Sequence, residues 1–275
     1  MIKVRWTGAA GIEFITEQGV ILIDPFFSRP GKFQSFFQKV EPKTDILDKY
    51  IQNLPSKLMG IIAGHTHLDH ALDVPYLAQQ SDCKVVGNKS LNSLFELHGV
   101  RDRVTICHGG ENIELGQDIN VTMIPSVHGK VVMGKVPFPG EIDLSESIPM
   151  KAKAYRHGAV FIPKVTIEDT SFLHIGTAGY IESQLDGHTC DVLFLCVPGW
   201  KRKSGYTTRL IDMVKSEIVV PFHFDDFSGQ ITKAGKAPLL PFQDMSGMVA
   251  EIKQHAPQVK IALPQFNSGM EEDLF

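Results

Sequence analysis

GHTHLDH, residues 64–70, places His65, His67, Asp69 and His70 within six consecutive positions of a chain that has 11 histidines in all. Neutral imidazole is a strong zinc ligand and carboxylate a serviceable one, so these side-chain types crowded at a chain turn are what a metal site needs. In extended backbone alternate side chains face the same way, so His65 and His67 can converge on one ion. Asp69 and His70 are sequence neighbours and diverge, which favours a second, adjacent position held by those two.

The flanking sequence says what holds the cluster. MGIIAG (59–64) is a short apolar run of strand type, and ALDVPYLAQQ (71–80) has helix-like composition with Pro75 limiting the helix to a start near Asp73 or Val74. Upstream, IKVRWT, GIEFIT and GVILIDP (2–25) read as an antiparallel meander broken by glycine and polar turns. Downstream, strands are expected at INVTMIP, GAVFIPKVTI, SFLHIG, DVLFLCV and EIVVPFHF, and helices at SLNSLFELHG, TTRLIDMVKS and DMSGMVAEIKQHA. In the last of these Met245, Met248, Val249 and Ile252 share one face, a core stripe. Two groups of strands, each followed by helices, predict two sheets with helices outside them, and no repeat, low-complexity tract or linker divides the chain, so one domain over 1–275 is expected. FFSRPGKFQSFFQK (26–39) and VVMGKVPFPGEIDLSESIPM (131–150) read as apolar loops suited to covering a pocket or packing on the body or a second subunit.

Composition narrows the function classes. With 43% hydrophobic and 21% charged residues and a net charge of −4, the chain is of soluble globular type. The densest basic cluster is Lys201-Arg202-Lys203, too small to be the footprint of a nucleic-acid binder, so no nucleic-acid partner is expected. Cys83, Cys107, Cys190 and Cys196 form no CxxC pair and read as small buried apolar residues. No run of 18 apolar residues offers a membrane span and the start of the chain alternates like a strand, so a cytoplasmic protein is the expectation.

HTHLDH (65–70) resembles the HxHxDH signature of the metallo-β-lactamase superfamily, and the downstream elements recur in that family's order over nearly the whole chain. The resemblance implies an α/β fold, a four-layer αββα sandwich with metals at one edge of two sheets. It implies His128, in PSVHG, as the third ligand of the first metal, and His223, in PFHFDDF, as the last histidine of the second. It matches Asp24, in ILIDP, to an acidic residue close to the metal histidines, where a hydrogen bond would fix a ring tautomer. One position departs from the pattern: HIGTAGY has Thr177 where the family carries an aspartate that bridges both metals. A neutral hydroxyl removes a full negative charge from between two divalent cations, which weakens the second site unless Asp225 or Asp226 supplies a carboxylate.

Zinc lowers the pKa of a bound water to about 7 and polarises carbonyl or phosphoryl oxygens, so the expected chemistry is hydrolysis of an ester, lactone or phosphodiester bond. Asp69 is the expected catalytic residue, orienting or deprotonating the water. One or two zinc ions are expected, with manganese or iron as alternatives. Histidine at 67, where flavodiiron oxygen reductases carry glutamate, favours a hydrolase over a redox enzyme. The opening GAAGIEFIT…ILIDPFF and the late VPFHFDDF resemble the branch holding ascorbate-phosphate lactonases and N-acyl phosphatidylethanolamine phospholipases. The substrate is then a small molecule, anionic or lipophilic: His157, in YRHGAVF, is a candidate contact to substrate or metal, as are Thr177, Asp225 and Asp226, and Lys201-Arg202-Lys203 could receive an anionic group. A non-catalytic metal- or ligand-binding module on the same scaffold and a nuclease are the alternative readings, separated from a hydrolase by metal content, turnover and salt-sensitive nucleic-acid binding. A homo-oligomer stays open.

Overall fold

The computed structural model describes residues 2–228, 239–241 and 243–265, with the side chain of Phe36 outside that description, so the unit expected over 1–275 extends past the described residues. The first half contains β1 (Lys3–Gly8), β2 (Gly11–Ile15), β3 (Val20–Ile23), α1 (Lys32–Phe37), β4 (Lys39–Val40), α2 (Thr44–Gln52), β5 (Leu58–Ile62), α3 (Leu68–Ala71), α4 (Val74–Gln79), β6 (Lys84–Gly87), α5 (Lys89–Leu97) and β7 (Val104–Ile106). The second half contains β8 (Asn112–Gly116), β9 (Ile119–Ser126), β10 (Met150–Lys151), β11 (Val160–Ile167), β12 (Thr170–Ile175), α6 (Glu182–Leu185), β13 (Val192–Cys196), α7 (Tyr206–Val214), β14 (Ile218–Phe222), α8 (Met245–His255) and β15 (Lys260–Ile261).

Six strands form one sheet in the order β1-β2-β3-β5-β6-β7 and seven form a second in the order β15-β14-β13-β12-β11-β9-β8. The meander read from the N-terminal sequence is the antiparallel β1-β2-β3 edge of the first sheet, which continues in parallel through β5, β6 and β7. Alternation assigns the faces. In β1, Val4 and Trp6 enter the core between the sheets while Arg5 points outward to pair with Glu13. Strand β3 is apolar throughout because both of its faces are covered: Ile21 and Ile23 lie between the sheets, and Val20 and Leu22 lie under the helices. Leu47, Leu77 and Leu94 from α2, α4 and α5 close the outer face of the first sheet. Leu210 and Val214 from α7, with Met248 and Ile252 from α8, close the second, giving helix, sheet, sheet and helix layers.

Met245 of the predicted α8 stripe is only partly buried against the core, and Val249 is not among its buried residues. The stretch 26–39 departs further from expectation, since α1 forms within it; Phe26 is buried, whereas Phe33 and Phe37 stay exposed. Of the 131–150 stretch, 131–149 is a loop with one isolated bridge between Val132 and Lys135. Among the described residues no helix is long and apolar enough to cross a membrane.

The topology delivers the candidate site residues to one edge. Asp24 directly follows β3, His65 follows β5, His128 follows β9, Thr177 follows β12 and His223 follows β14. Each lies beyond the carboxyl end of its strand, and for β3, β5, β12 and β14, which have parallel neighbours, that is the end where such a sheet leaves a crevice for ligands.

Candidate metal centre

The HxHxDH segment runs extended through His67 (φ −62°, ψ 158°), whose carbonyl then accepts the N–H groups of His70 and Ala71 to start α3. His65 and His67 therefore alternate in extended chain, whereas Asp69 and His70 sit in the first helical turn. The segment is fastened to the second sheet: Thr66 N donates to His157 O at 3.1 Å, Thr66 Oγ1 donates to Arg156 O at 2.5 Å, and Phe161 N donates to Gly64 O at 2.8 Å. Gly64 leaves room for this approach, since a Cβ there would lie a tight 3.2 Å from Phe161 O.

Three groups of side chains among the described residues bring one possible ligand atom each to within 4.8 Å of one another: His65-His67-His128, Asp24-His65-His70 and Asp69-His70-His223. The three rings of the first group have centroids 4.6–4.9 Å apart. In the third, Asp69 Oδ2 lies 3.3 Å from His223 Nε2 and 3.6 Å from His70 Nε2.

Outer hydrogen bonds fix which ring nitrogens are available. A carbonyl oxygen can only accept, so Nε2 of His67, 3.0 Å from Pro137 O, carries the proton and leaves Nδ1 with a lone pair. By the same logic Nδ1 of His128 donates to Gly129 O at 2.7 Å and frees Nε2. His70 Nδ1 donates to Asp24 Oδ2 at 2.8 Å and turns Nε2 toward Asp69. His65 Nε2 and His223 Nδ1 are buried without a hydrogen-bond partner. A buried, unsatisfied imidazole nitrogen among two other imidazoles is costly unless something positive meets it, so this donor set fits a divalent transition metal.

The electrostatics agree. Burial, reinforced by the neighbouring imidazoles, holds His65 well below the ordinary histidine value and pushes His67 to about 3 and His128 to about 4, so these rings are neutral and able to bind metal at pH 7. Burial works against the charge on Asp69, but His70, His223 and His67 together outweigh it and hold its carboxyl well below the usual carboxylate range. Burial is likewise overcome at His70, which Asp24 and Asp69 raise. Asp24 (φ +47°) and His223 (φ +63°) occupy the left-handed region although neither is glycine, a strain that concentrates at functional sites.

The remaining candidates fall elsewhere. Thr177 is buried, and its Oγ1 accepts from Gly129 N at 3.1 Å, so it braces the loop that carries His128. The same contact is sealed at Gly179, where a Cβ would lie 2.2 Å from Val127 O. Asp225 lies outside the three groups: Oδ1 accepts from Ala9 N at 2.9 Å and Oδ2 from Arg29 at 2.5 Å. Asp226 pairs with Lys32 at 2.7 Å and is outside them too. His157 is not in a ligand group, yet its ring centroid lies 5.6 Å from that of His67 and 5.7 Å from that of His128. Two members of the basic triplet are engaged, Lys201 with Asp244 and Lys203 with the ring and carbonyl of Tyr180, while Arg202 is exposed.

One residue went unread in the sequence. His174, fully buried at the end of β12, donates from Nε2 to Ala10 O at 2.8 Å and faces Asp24 Oδ2 with Nδ1 at 3.9 Å, so Asp24 lies between two histidines. A histidine inside the apolar run 172–175, three positions before Thr177, is the signal that could have found it.

Comparison with known proteins gives a consistent result. The model of the metallo-β-lactamase superfamily matches residues 12–199. A UPF0173 metal-dependent hydrolase of Methanobrevibacter smithii is 26% identical over 237 residues, covering 82% of this chain and 83% of its own. A UPF0173 metal-dependent hydrolase of Bacillus cereus is 25% identical over 231 residues, covering 82% and 87%. Igni18, a metallo hydrolase from Ignicoccus hospitalis, superposes with a TM-score of 0.64 over 98% of this chain and 97% of its own at 15% identity, which shows a shared fold.

Proposed function

The chain belongs to the metallo-β-lactamase superfamily and is a metal-dependent hydrolase, and from that premise we propose that it uses zinc to hydrolyse an ester, lactone or phosphodiester bond in a small molecule. The observation that carries this reading is the convergence of His65, His67 and His128, each with a ring nitrogen left for a ligand. These three residues would hold the first ion, and Asp69, His70 and His223 a second. A zinc ion there supplies Lewis acidity and acidifies water at neutral pH.

The chain's own groups do the rest. Pro137 O and Gly129 O lock the tautomers of His67 and His128, so the lone pairs are committed before anything binds. Asp24 orients His70 in the same way. Asp69, ionised at neutral pH and only partly buried, is the one carboxylate of the third group and the base positioned to take a proton from an attacking water. His223 Nε2 at 3.3 Å holds that carboxylate in place. Thr177 adds no charge, so the second position rests on one carboxylate and two imidazoles and is the weaker of the two.

The test is elemental analysis of protein purified without added metal, joined to turnover on a panel of esters, lactones and phosphodiesters. The wild type should carry zinc, the His65→Ala, His67→Ala double variant should lose it, and Asp69→Ala should keep its fold while losing about 10²-fold or more in turnover. Full metal content in the double variant would overturn the ligand assignment, and unchanged turnover in Asp69→Ala would remove Asp69 from the mechanism.

A further inference from the structure

Ten large apolar side chains among the described residues are substantially exposed, and five of them, Val127, Val132, Met133, Phe138 and Leu144, fall within residues 127–144. Scattered exposed apolar residues are ordinary, whereas a concentration of them bordering a reactive centre marks a recognition surface. This stretch begins beside His128.

Phe138 is the member that the fold aims at the site. The carbonyl before it, Pro137 O, holds His67 Nε2 at 3.0 Å. Its own carbonyl accepts from His157 N at 3.2 Å, and Gly140 O accepts from Gly158 N at 2.9 Å, so the loop is stitched to the segment that fastens the HxHxDH turn. Its backbone has φ +37°, a conformation a phenylalanine keeps only when its surroundings hold it there. The ring stands edge-on to His67, centroids 6.2 Å apart and planes at 89°, and is still 47% exposed. An aromatic ring held against a metal-ligand candidate, with half its surface left open, is built to be covered by something apolar.

We infer that Phe138 is a specificity-determining residue, the wall against which an apolar, preferentially aromatic, acyl group of the substrate packs while the scissile bond faces the histidines. The inference rests on the metal-centre reading above. Hydroxamic acids chelate zinc through two oxygens and leave the acyl substituent where a substrate's would lie, so they probe the wall without turnover.

The experiment is calorimetric titration of the zinc-loaded full chain with acetohydroxamic acid and benzohydroxamic acid. In the wild type the benzoyl compound binds more tightly. In Phe138→Ala the ratio of the two affinities falls about tenfold, with acetohydroxamic affinity and zinc content unchanged, and Phe138→Leu retains an intermediate ratio. An unchanged ratio in Phe138→Ala overturns the inference and leaves the metal centre standing. Loss of zinc from Phe138→Ala also overturns it, because the residue would then serve His67 rather than the substrate. If neither compound binds the zinc-loaded wild type, the metal-centre reading fails and the inference with it.

Discussion

Replacing Asp24 by asparagine tests whether the buried carboxylate commits His70 to metal. The residue sits at φ +47°, a conformation asparagine adopts about as readily as aspartate, so Asp24→Asn adds no backbone strain. Each carboxylate oxygen has its own donor: Gly64 N at 2.7 Å on Oδ1 and His70 Nδ1 at 2.8 Å on Oδ2. An amide has one oxygen, so whichever way it turns, its NH2 faces one of those donors. One buried donor then confronts another, at a cost of about 1–3 kcal/mol. If the amide oxygen stays on Gly64, His70 loses its acceptor, its tautomer is no longer fixed, and affinity at the Asp69-His70-His223 position falls about 10–100-fold. If it turns to His70, a neutral acceptor replaces a charged one and the ligand is still weakened. The assay is competitive zinc titration against a chromophoric chelator, paired with denaturant unfolding of the metal-free protein. The expected result is a lower metal-free stability by about 1–3 kcal/mol, a second zinc loosened by at least about tenfold, and a smaller change in the first. A destabilised variant that binds both ions as tightly as the wild type would refute the orienting role, since the cost would then be structural alone.

Thr177→Asp keeps an acceptor for Gly129 N and supplies the carboxylate that the family pattern carries at this position, so it should raise the occupancy of the second metal in a titration; a wild type that already holds two tightly bound ions, unaltered by the substitution, would refute the weak-site reading. Arg29→Met leaves the fully buried Asp225 without its 2.5 Å guanidinium partner and should cost about 3–5 kcal/mol by denaturant unfolding. His67 and His128, depressed in the fold to about 3 and about 4 from an ordinary 6.5, protonate in the unfolded chain first, so the metal-free protein should keep its stability above pH 6.5 and lose it progressively down to about pH 3. Burial raises Asp73 to about 6, which acts with the opposite sign below pH 6, so the measurement is the difference in melting temperature against a His67→Gln, His128→Gln variant, which should show a shallower acid limb.

How much of the site could be read from sequence follows from where its geometry is written. His65, His67, Asp69 and His70 are consecutive enough for local backbone alone to set their mutual directions, and the change from extended chain to α3 after His67 separates them as their spacing required. His128 and His223 are single histidines in otherwise ordinary loops, and only resemblance to a family pattern singled them out. Asp225 shows the limit of adjacency. It follows His223 closely, but the left-handed turn at His223 redirects the chain and sends the carboxylate to Ala9 and Arg29. His174 was invisible for the complementary reason: its partners, Ala10 and Asp24, lie in the first sheet and meet it only when the two sheets close.

The two strained positions show why such misses concentrate at a reactive centre. Residues Asp24 and His223 directly follow β3 and β14 in a backbone conformation for which local preference would choose glycine. Glycine would relieve the strain and delete the side chain, and with it either the acceptor for His70 or the partner of Asp69. Local preference and site chemistry therefore demand different residues at the same two places, and here the chemistry prevails. Where that conflict is present, reasoning from propensity misreads the backbone while reasoning from side-chain chemistry still finds the residue. That is the pattern at both positions: the side chains were legible as candidates, and the left-handed turns that aim them were not.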